Sequence, residues 1–401
     1  MADSKMKEWT LVDPFGKAEP ADWQLSHAEL GHDGKKPWSV KRRILKGGLS
    51  DGVELIDVTN GDLAFSVCPT RGMGIWRGEY KGWQAGWKSP IRGPVHPAFV
   101  NLHDRGGIGW LNGFDEWIVR CGLESNGAPG PDVQQDNYGN KREMMLPLHG
   151  RIANLPAHRV VVRVVNEAPH AIEIVGVVEE STLFMPGLRL ETVIRTIPGA
   201  KSFTIHDRIT NFKSQPEEMQ ILYHCNFGPP LLEAGSRVLV PTDVLAPRDK
   251  TAEKAIDHFD TYPGPTSGVV EQVFFYQAHA DAKSNKTLAM LHNKDSNKAC
   301  GIRYSTQQLP CFTLWKNPGA ESDGYVTGLE PGTNFPNHKS FERKQGRVVT
   351  LAPGAHYDVE VEFEFADGKE AVAALVSEVG RLQSQGAPKI HAKTVSTLSP
   401  G

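Results

Sequence analysis

The sequence predicts an all-β protein in which antiparallel strands dominate and helices are scarce. Apolar and polar residues alternate with a period of two along much of the chain, most cleanly at residues 356–365, which indicates a half-buried strand. The chain contains 40 glycines and 28 prolines, which supply the turns that many short strands require. Helical spacing of apolar residues stands out at residues 370–382, so one helix is expected near the C-terminus.

Successive strand pairs can be followed along the chain. Residues 53–59 and 62–67 flank Asn60-Gly61, a dipeptide typical of a two-residue hairpin turn with positive φ angles. Further strands are predicted at residues 159–165, 171–178, 188–197, 201–211, 219–225, 287–292, 301–304, 312–315, 325–329, 347–351 and 356–365. No Pro/Ser-rich linker divides the series, so we expect residues 1–401 to form a single domain with its core at about residues 48–365.

Composition excludes several classes of function. The formal net charge of -3 predicts no polybasic surface for nucleic acid. No apolar run approaches the ~20 residues that span a bilayer, and the N-terminus has no secretory apolar stretch. The five cysteines form no CxxC pair, which favours reduced thiols. A cytoplasmic protein without membrane or nucleic-acid partners is therefore expected, as a monomer or a homodimer.

Two stretches depart from the strand pattern. Residues 71–147 are rich in glycine and tryptophan, which predicts a long insert whose loops bring backbone and aromatic rings close to a ligand. Sugars present apolar C–H faces that stack on such rings. Residues 384–401, after the predicted helix, are mostly polar, and we expect this tail to be frayed.

Three short segments each offer one ionisable side chain. His149 lies in Leu-His-Gly-Arg, His224 in Tyr-His-Cys-Asn-Phe at the end of an apolar strand, and Glu330 in Leu-Glu-Pro-Gly at the end of another. Two imidazoles and one carboxylate are sufficient for general acid and base catalysis. Walker A, GxSxG and other nucleotide or nucleophile motifs are not found.

These segments resemble the aldose 1-epimerase (galactose mutarotase) superfamily. The resemblance rests on His149 before a glycine, His224 two residues before Asn226, and Glu330 in Leu-Glu-Pro with Asn337 further on. The order of the motifs and their rough spacing match over residues 48–365. The closest similarity is to a divergent, poorly characterised bacterial branch. The resemblance implies an antiparallel β-supersandwich, in which two large sheets pack face to face and the site lies in the mouth of one sheet.

The resemblance also implies how the site would work. Glu330 is expected to act as base and His224 as acid on opposite sides of the anomeric carbon, with His149 bonding the substrate. No metal and no cofactor are required. The residues expected to bind the sugar are Arg71, Arg151, Asn226, Trp315 and Asn337. The expected ligand is a small-molecule carbohydrate, and residues 312–318 are similar to an element of the hexose-phosphate branch, which leaves a phosphorylated sugar open.

Two other functions remain open from the sequence. His224 and Glu330 could serve a lyase or isomerase that acts on an oxidised or acidic sugar, where a proton is removed next to a carbonyl group. Alternatively, the protein could bind carbohydrate without catalysis. The chain departs from many mutarotases by following His149 with a single glycine and then Arg151, and by placing Cys225 after His224. These differences bear on the identity of the sugar.

Overall fold

The computed structural model describes residues 6–136, 138–184 and 186–401. The first strands are β1 (Met6–Val12), β2 (Gln24–Ser26), β3 (Ser39–Ile44), β4 (Glu54–Thr59), β5 (Leu63–Cys68), β6 (Gly74–Tyr80), β7 (Trp83–Ala85) and β8 (Ile118–Leu123). They are followed by β9 (Gly130–Gln135), β10 (Lys141–Leu146), β11 (Arg159–Val165), β12 (Ile172–Ser181), β13 (Gly187–Thr196), β14 (Ser202–Asn211), β15 (Glu217–Phe227) and β16 (Arg237–Leu239).

The second half continues in the same way. Its strands are β17 (Thr242–Pro247), β18 (Gln272–Ala278), β19 (Lys286–His292), β20 (Lys298–Ser305), β21 (Cys311–Asn317), β22 (Val326–Gly332), β23 (Val349–Leu351), β24 (His356–Asp367) and β25 (Lys389–Ile390). The α-helices are α1 (Asp104–Gly107), α2 (Lys250–Glu253), α3 (Lys339–Lys344) and α4 (Lys369–Gln383). In the described ranges, no helix is long and apolar enough to cross a membrane.

Two large sheets pack face to face. One has nine strands in the order β1-β11-β12-β13-β14-β24-β20-β19-β16. The other has 14 strands and follows β2-β3-β4-β5-β6-β8-β15-β22-β21-β18-β17-β25, with β7 beside β6 and β23 beside β15. Phe65 of the 14-stranded sheet stacks on Phe203 of the nine-stranded sheet with ring centroids 5.0 Å apart. The inner faces form one apolar core, which confirms the predicted sandwich.

The predicted hairpin is confirmed as β4 and β5, but its turn differs from the expected one. Residues 60–62 connect the strands, and Asn60 is not in the positive-φ region although Gly61 is, at φ 110°. The Asn60 side chain is fully buried and its amide donates to Thr196 Oγ1 at 2.8 Å. This bond joins the turn to the nine-stranded sheet, so the asparagine acts through its side chain rather than through left-handed backbone.

The stretch at residues 71–147 is not simply an insert of loops. It supplies β6, β7 and β8 to the 14-stranded sheet and forms a separate two-stranded ribbon from β9 and β10. Strand β8 could not be recognised from the sequence. All six of its residues are buried, including Arg120, so polar and apolar residues do not alternate. The segment between β7 and β8 is largely irregular, with α1 and short 3-10 turns.

The predicted helix is confirmed as α4, whereas the expectation of a frayed tail is wrong. After α4 the chain adds β25 to the edge strand β17 in parallel, with Ile390 opposite Leu245. Further on, Leu398 is only 7% exposed. Few apolar residues in a polar segment were enough to anchor it, because its backbone carbonyls and hydroxyls are also bonded to the body of the protein.

Candidate functional site

The three predicted catalytic side chains meet on the outer face of the 14-stranded sheet. Strands β15 and β22 are antiparallel neighbours in which Cys225 pairs with Leu329, so His224 lies directly opposite Glu330. Nε2 of His224 is 3.1 Å from Oε1 of Glu330. Both side chains are almost completely buried, at 4% and 2% exposure. They therefore stand side by side rather than at opposite sides of a space for a sugar.

The hydrogen bonds of Asn226 define the tautomer of His224. Nδ2 of Asn226 donates to the backbone carbonyls of Glu116 and His224, at 3.0 and 3.2 Å, which identifies Oδ1 as the remaining atom of the amide. This Oδ1 lies 2.6 Å from Nδ1 of His224 and can only accept. Nδ1 therefore carries a proton, and Nε2, which faces Glu330, is the nitrogen that is free to exchange one.

Glu330 has an incomplete set of partners. Its Oε1 lies close to His224, but the contact lacks the geometry of a hydrogen bond, and Oε1 has no hydrogen-bond partner among the described residues. Gly328 forms the floor beneath the pair. A Cβ at this position would lie 2.5 Å from Oε1 of Glu330 and 3.1 Å from Cε1 of His224, so glycine leaves the space that both side chains occupy. A buried oxygen without a partner requires an explanation, and availability to a substrate is one such explanation.

Burial shifts the two pKa values of the pair in opposite directions. Desolvation raises the pKa of Glu330 well above its ordinary value, and the carboxylate of Glu271 adds to the shift while Arg248 opposes it. Desolvation also lowers the pKa of His224 well below its ordinary value, with a further contribution from His149. Both shifts favour the neutral pair, in which the single shared proton is on Glu330.

His149 approaches the pair from a tight turn. Its backbone has φ 58°, and its Nδ1 lies 2.9 Å from the carbonyl oxygen of Asn126, which can only accept, so Nδ1 is protonated. Desolvation lowers the pKa of His149 to about 4, although the Asn126 carbonyl and Glu271 oppose the shift. The ring centroid is 5.5 Å from that of His224. At neutral pH, His149 therefore offers Nε2 as a hydrogen-bond acceptor.

Aromatic rings surround the imidazoles and close the site. Phe114 and Trp315 approach His224 edge-on, with ring centroids 5.1 and 5.3 Å away, and are 6.1 Å from each other. Trp110 is fully buried against His149 at 4.7 Å. The two sides of this wall come from different parts of the chain, because Phe114 and Trp110 belong to the segment before β8 and Trp315 belongs to β21.

Two charged residues that the sequence did not single out complete one side of the site. Glu271 accepts from Nε1 of Trp315 at 2.8 Å and from Nη2 of Arg248 at 3.0 Å. We call Arg248, Glu271 and Trp315 the rim. The charge of Glu271 raises the pKa of Glu330, and the charge of Arg248 lowers it. Glu271 also raises the pKa of His149. The rim residues lie far apart in sequence and outside any motif, so only the pairing of β17, β18 and β21 could reveal them.

Several residues expected to bind sugar are placed behind the site instead. Arg71 is fully buried and its guanidinium bonds Glu116 and Asn154, so it does not face a ligand. Asn226 is fully buried and holds His224.

The remaining expected ligands divide in the same way. Asn337 is 5% exposed and donates to the Leu398 carbonyl at 2.9 Å, so it secures the tail. Arg151 is half-buried. Burial and the charge of Glu124 raise the pKa of Glu180 to about 7, and the positive charge of Arg151 opposes this rise. Trp315 adjoins His224 as described above, and sugar binding by Arg151 and Trp315 remains a prediction. Within the described ranges, no group of three or more His, Cys, Asp or Glu side chains could hold a metal ion.

Comparison with known proteins is consistent with this architecture. A family model described as "Domain of unknown function (DUF4432)" matches residues 50–365. The structure of a protein from Klebsiella pneumoniae subsp. pneumoniae, provisionally named an aldose 1-epimerase, superposes with a TM-score of 0.90 at 36% sequence identity. The match covers 97% of this chain and 98% of that one. A search of curated proteins found no match.

More distant structures share the fold. A galactose mutarotase-like protein from Clostridium acetobutylicum has a TM-score of 0.56 at 14% identity, with 82% of this chain and 98% of that chain covered. A GalM/aldose epimerase homologue from C. elegans has a TM-score of 0.51 at 14% identity, with 79% and 99% covered. The sheets described above thus form a galactose mutarotase-like β-sandwich.

Proposed function

The chain belongs to the family described as a domain of unknown function, DUF4432, and we propose that its activity is that of an aldose 1-epimerase, which interconverts the α and β anomers of a sugar. The observation that carries the proposal is the cross-strand pair of His224 and Glu330, buried and 3.1 Å apart, with Oε1 of Glu330 lacking a hydrogen bond. The provisional name of the Klebsiella protein supports the same activity.

The reaction requires two coordinated proton transfers. A base removes the proton of the anomeric hydroxyl while an acid protonates the ring oxygen, and the bond between C1 and the ring oxygen breaks. Rotation about C1–C2 then turns the other face of the aldehyde toward the hydroxyl, and the reverse transfers close the ring. Both oxygens are bonded to C1, so they are close neighbours. An acid and a base that stand side by side can therefore reach both oxygens together.

Burial suggests which partner holds the proton at rest. In the neutral pair, Nε2 of His224 is the base that accepts the proton of the anomeric hydroxyl, and protonated Glu330 is the acid that protonates the ring oxygen. This is the reverse of the roles expected from the resemblance. Ring closure then uses the opposite roles, since His224 is now charged and Glu330 ionised. One proton returns to each starting group, and nothing is consumed.

The neighbouring residues supply binding and orientation. His149, neutral and with its Nε2 available, can accept a hydrogen bond from a sugar hydroxyl. The Arg248 guanidinium at the rim is bonded to Asp249 and Glu271, so this cation is already paired. Its pairing favours a neutral sugar over a phosphorylated or acidic one. Access requires the Phe114 and Trp315 rings to separate, because the pair beneath them is almost unexposed.

The experiment that tests the proposal is anomeric exchange measured by NMR saturation transfer. Purified protein is added to a panel of equilibrated neutral sugars, sugar phosphates and acidic sugars, and Glu330→Gln serves as the catalytic control. We expect faster exchange for at least one neutral sugar and none above the spontaneous rate in the variant. A matched variant at the exposed Glu321, Glu321→Gln, should retain the full rate.

Other outcomes would redirect the proposal. New vinyl or keto signals in the same spectra would indicate the lyase or isomerase reaction. Binding of a sugar without any exchange, unchanged by Glu330→Gln, would indicate a protein that binds carbohydrate without catalysis. Either result would overturn the aldose 1-epimerase proposal.

A further inference from the structure

The last residues of the chain close over the strands that carry the rim. We call residues 389–399 the C-terminal clasp. It begins with β25, in which Lys389 and Ile390 pair with Val244 and Leu245 of β17. Thr394 then donates its backbone N–H and its hydroxyl to the carboxylate of Glu253, at 3.0 and 2.7 Å. These contacts direct the end of the chain along the outer face of β17, β18 and β21.

The final turn of the clasp is anchored by one apolar side chain. Leu398 packs into a cluster of buried residues from three strands and the segment after Glu330, namely Ala246, Val273, Phe275, Cys311 and Phe335. Its carbonyl accepts a hydrogen bond from Asn337 at 2.9 Å. The carbonyl of Thr397 accepts one from Arg347 at 2.8 Å. The turn is thus held by burial and by hydrogen bonds from the body of the protein.

The clasp ends directly behind the rim. The hydroxyl of Ser399, which is 2% exposed, donates to the backbone carbonyl of Arg248 at 2.7 Å. On its other side, the N–H of Arg248 donates to Val273 at 2.9 Å, so the backbone of this residue is fixed from both directions. Trp315 packs partly against the same apolar cluster that receives Leu398. Arg248 therefore contacts the clasp directly through Ser399, and Trp315 contacts the apolar cluster that contains Leu398.

We propose that Leu398 and Ser399 are positioning residues that hold Arg248, Glu271 and Trp315 beside His224 and Glu330, and that the rim so held binds the sugar of the proposed reaction. The clasp lies outside residues 50–365, the part that matches the family model. The expected change in KM rests on the proposed epimerase activity. The expected loosening of the Arg248 backbone does not depend on that activity.

The test compares full-length variants of the clasp. Leu398→Asp places a charge in the apolar cluster, Leu398→Met keeps its volume and polarity, and Ala392→Asp adds the same charge at an exposed clasp position. Hydrogen exchange at the backbone amides of Ala246, Arg248 and Asp249 is measured alongside KM and kcat for the sugar found by NMR. We expect Leu398→Asp to raise amide exchange and to increase KM about tenfold with kcat within about threefold, because the rim binds ground state and transition state alike.

The outcomes separate this inference from the proposed function. The other two variants should match the parent protein in both readouts. Unchanged exchange at the amides of Ala246, Arg248 and Asp249 in Leu398→Asp would overturn the inference, as would a fall in kcat that follows thermal stability at constant KM. If the parent protein catalyses no anomeric exchange, the epimerase proposal fails. The role of the clasp is then tested by amide exchange alone: faster amide exchange in Leu398→Asp would support it, and no change would refute it.

Discussion

Two residues that are neighbours on β15 belong to opposite kinds of buried polar site. Tyr223 and His224 point to opposite faces of the strand, as successive residues in a sheet do. Tyr223 faces the interior between the sheets, where its hydroxyl donates to Asp207 at 2.7 Å. His224 faces outward, where it meets Glu330. One strand therefore contributes Tyr223 to an internal polar cluster and His224 to the proposed catalytic pair.

The internal cluster is complete. We call Arg120, Asp207, Thr192 and Tyr223 the inter-sheet cluster, because Arg120 and Tyr223 come from the 14-stranded sheet and the others from the nine-stranded sheet. Arg120 bonds both carboxylate oxygens of Asp207 and the Thr192 hydroxyl, and its third nitrogen bonds two backbone carbonyls. The proposed catalytic pair of His224 and Glu330, by contrast, leaves Oε1 of Glu330 without a hydrogen bond.

The difference indicates what each site does. A buried charge that has all its partners is part of the framework, since removing one partner leaves the other uncompensated in the interior. A buried carboxyl group that lacks partners adds little to stability and is available to a substrate. Stability and activity should therefore respond in opposite ways to conservative changes at the two sites.

The largest expected effect is on catalysis. Glu330→Gln or His224→Gln should reduce anomeric exchange by about 10²–10⁴-fold, because each change removes a group that transfers a proton in the transition state. The free energy of unfolding should not fall for Glu330→Gln, since a carboxyl group without a hydrogen bond is replaced by a neutral amide. NMR exchange rates and urea unfolding test both statements. A rate within about twofold of the parent protein would contradict the catalytic role.

The inter-sheet cluster should show the reverse pattern. Asp207→Asn should lower the free energy of unfolding by about 3–5 kcal/mol, because the Arg120 guanidinium loses its buried counter-charge. The exchange rate per folded molecule should remain close to that of the parent protein. Asp33→Asn, which removes an exposed ion pair with Lys35, is the control and should cost less than about 1 kcal/mol. A loss of activity in Asp207→Asn without a loss of stability would refute the comparison.

The location of the shared proton can be measured directly. Because burial raises the pKa of Glu330 and lowers that of His224, the infrared spectrum at pH 7 should contain the C=O stretch of a protonated carboxylic acid that is absent in Glu330→Gln. The exchange rate should fall at alkaline pH, where the pair loses its proton, and at acidic pH, where it takes up a second. The acidic decline should begin below the usual range of histidine. Ionised Glu330 at pH 7 would contradict the neutral resting pair.

Much of the fold and part of the site could be predicted from sequence. Strand β24 alternates plainly, and the three segments with His149, His224 and Glu330 each contain one chemically distinctive residue, so their meeting could be anticipated. Their side-by-side arrangement could not, because it depends on the register of β15 against β22, over a hundred residues apart. A register is set by the packing of the whole face and not by the motif.

The misplaced binding residues show the same limit. Arg71 lies beside a glycine like many ligand-binding arginines, but its partner Glu116 is 45 residues away and its orientation follows from that buried contact. Asn226 could have been assigned better, since residues i and i+2 share a face of a strand and its bond to His224 follows from that periodicity. Arg248 and Glu271 carry no local signal, because their role arises only when β17, β18 and β21 are side by side.

The smallest expected effect concerns His149, which differs from both sites in being a neutral hydrogen-bond acceptor. Its pKa is about 4 in the folded protein and about 6.5 when unfolded. Between these values the unfolded chain binds a proton that the folded protein does not, so stability falls as the pH is lowered from 6.5 to 4, by at most about 3 kcal/mol. His149→Asn, which tolerates the positive φ, should reduce this slope in urea unfolding at several pH values.

The exposed His103 provides the control, since His103→Asn should leave the slope unchanged. Burial also lowers the pKa of His224, so this residue should retain most of its own contribution in His149→Asn, and the slope should flatten further when His224→Gln is added. A slope unaffected by His149→Asn would mean that burial does not lower the pKa of His149, because the folded and unfolded states would then bind its proton equally. In that case the desolvated environment inferred for His149 would be wrong.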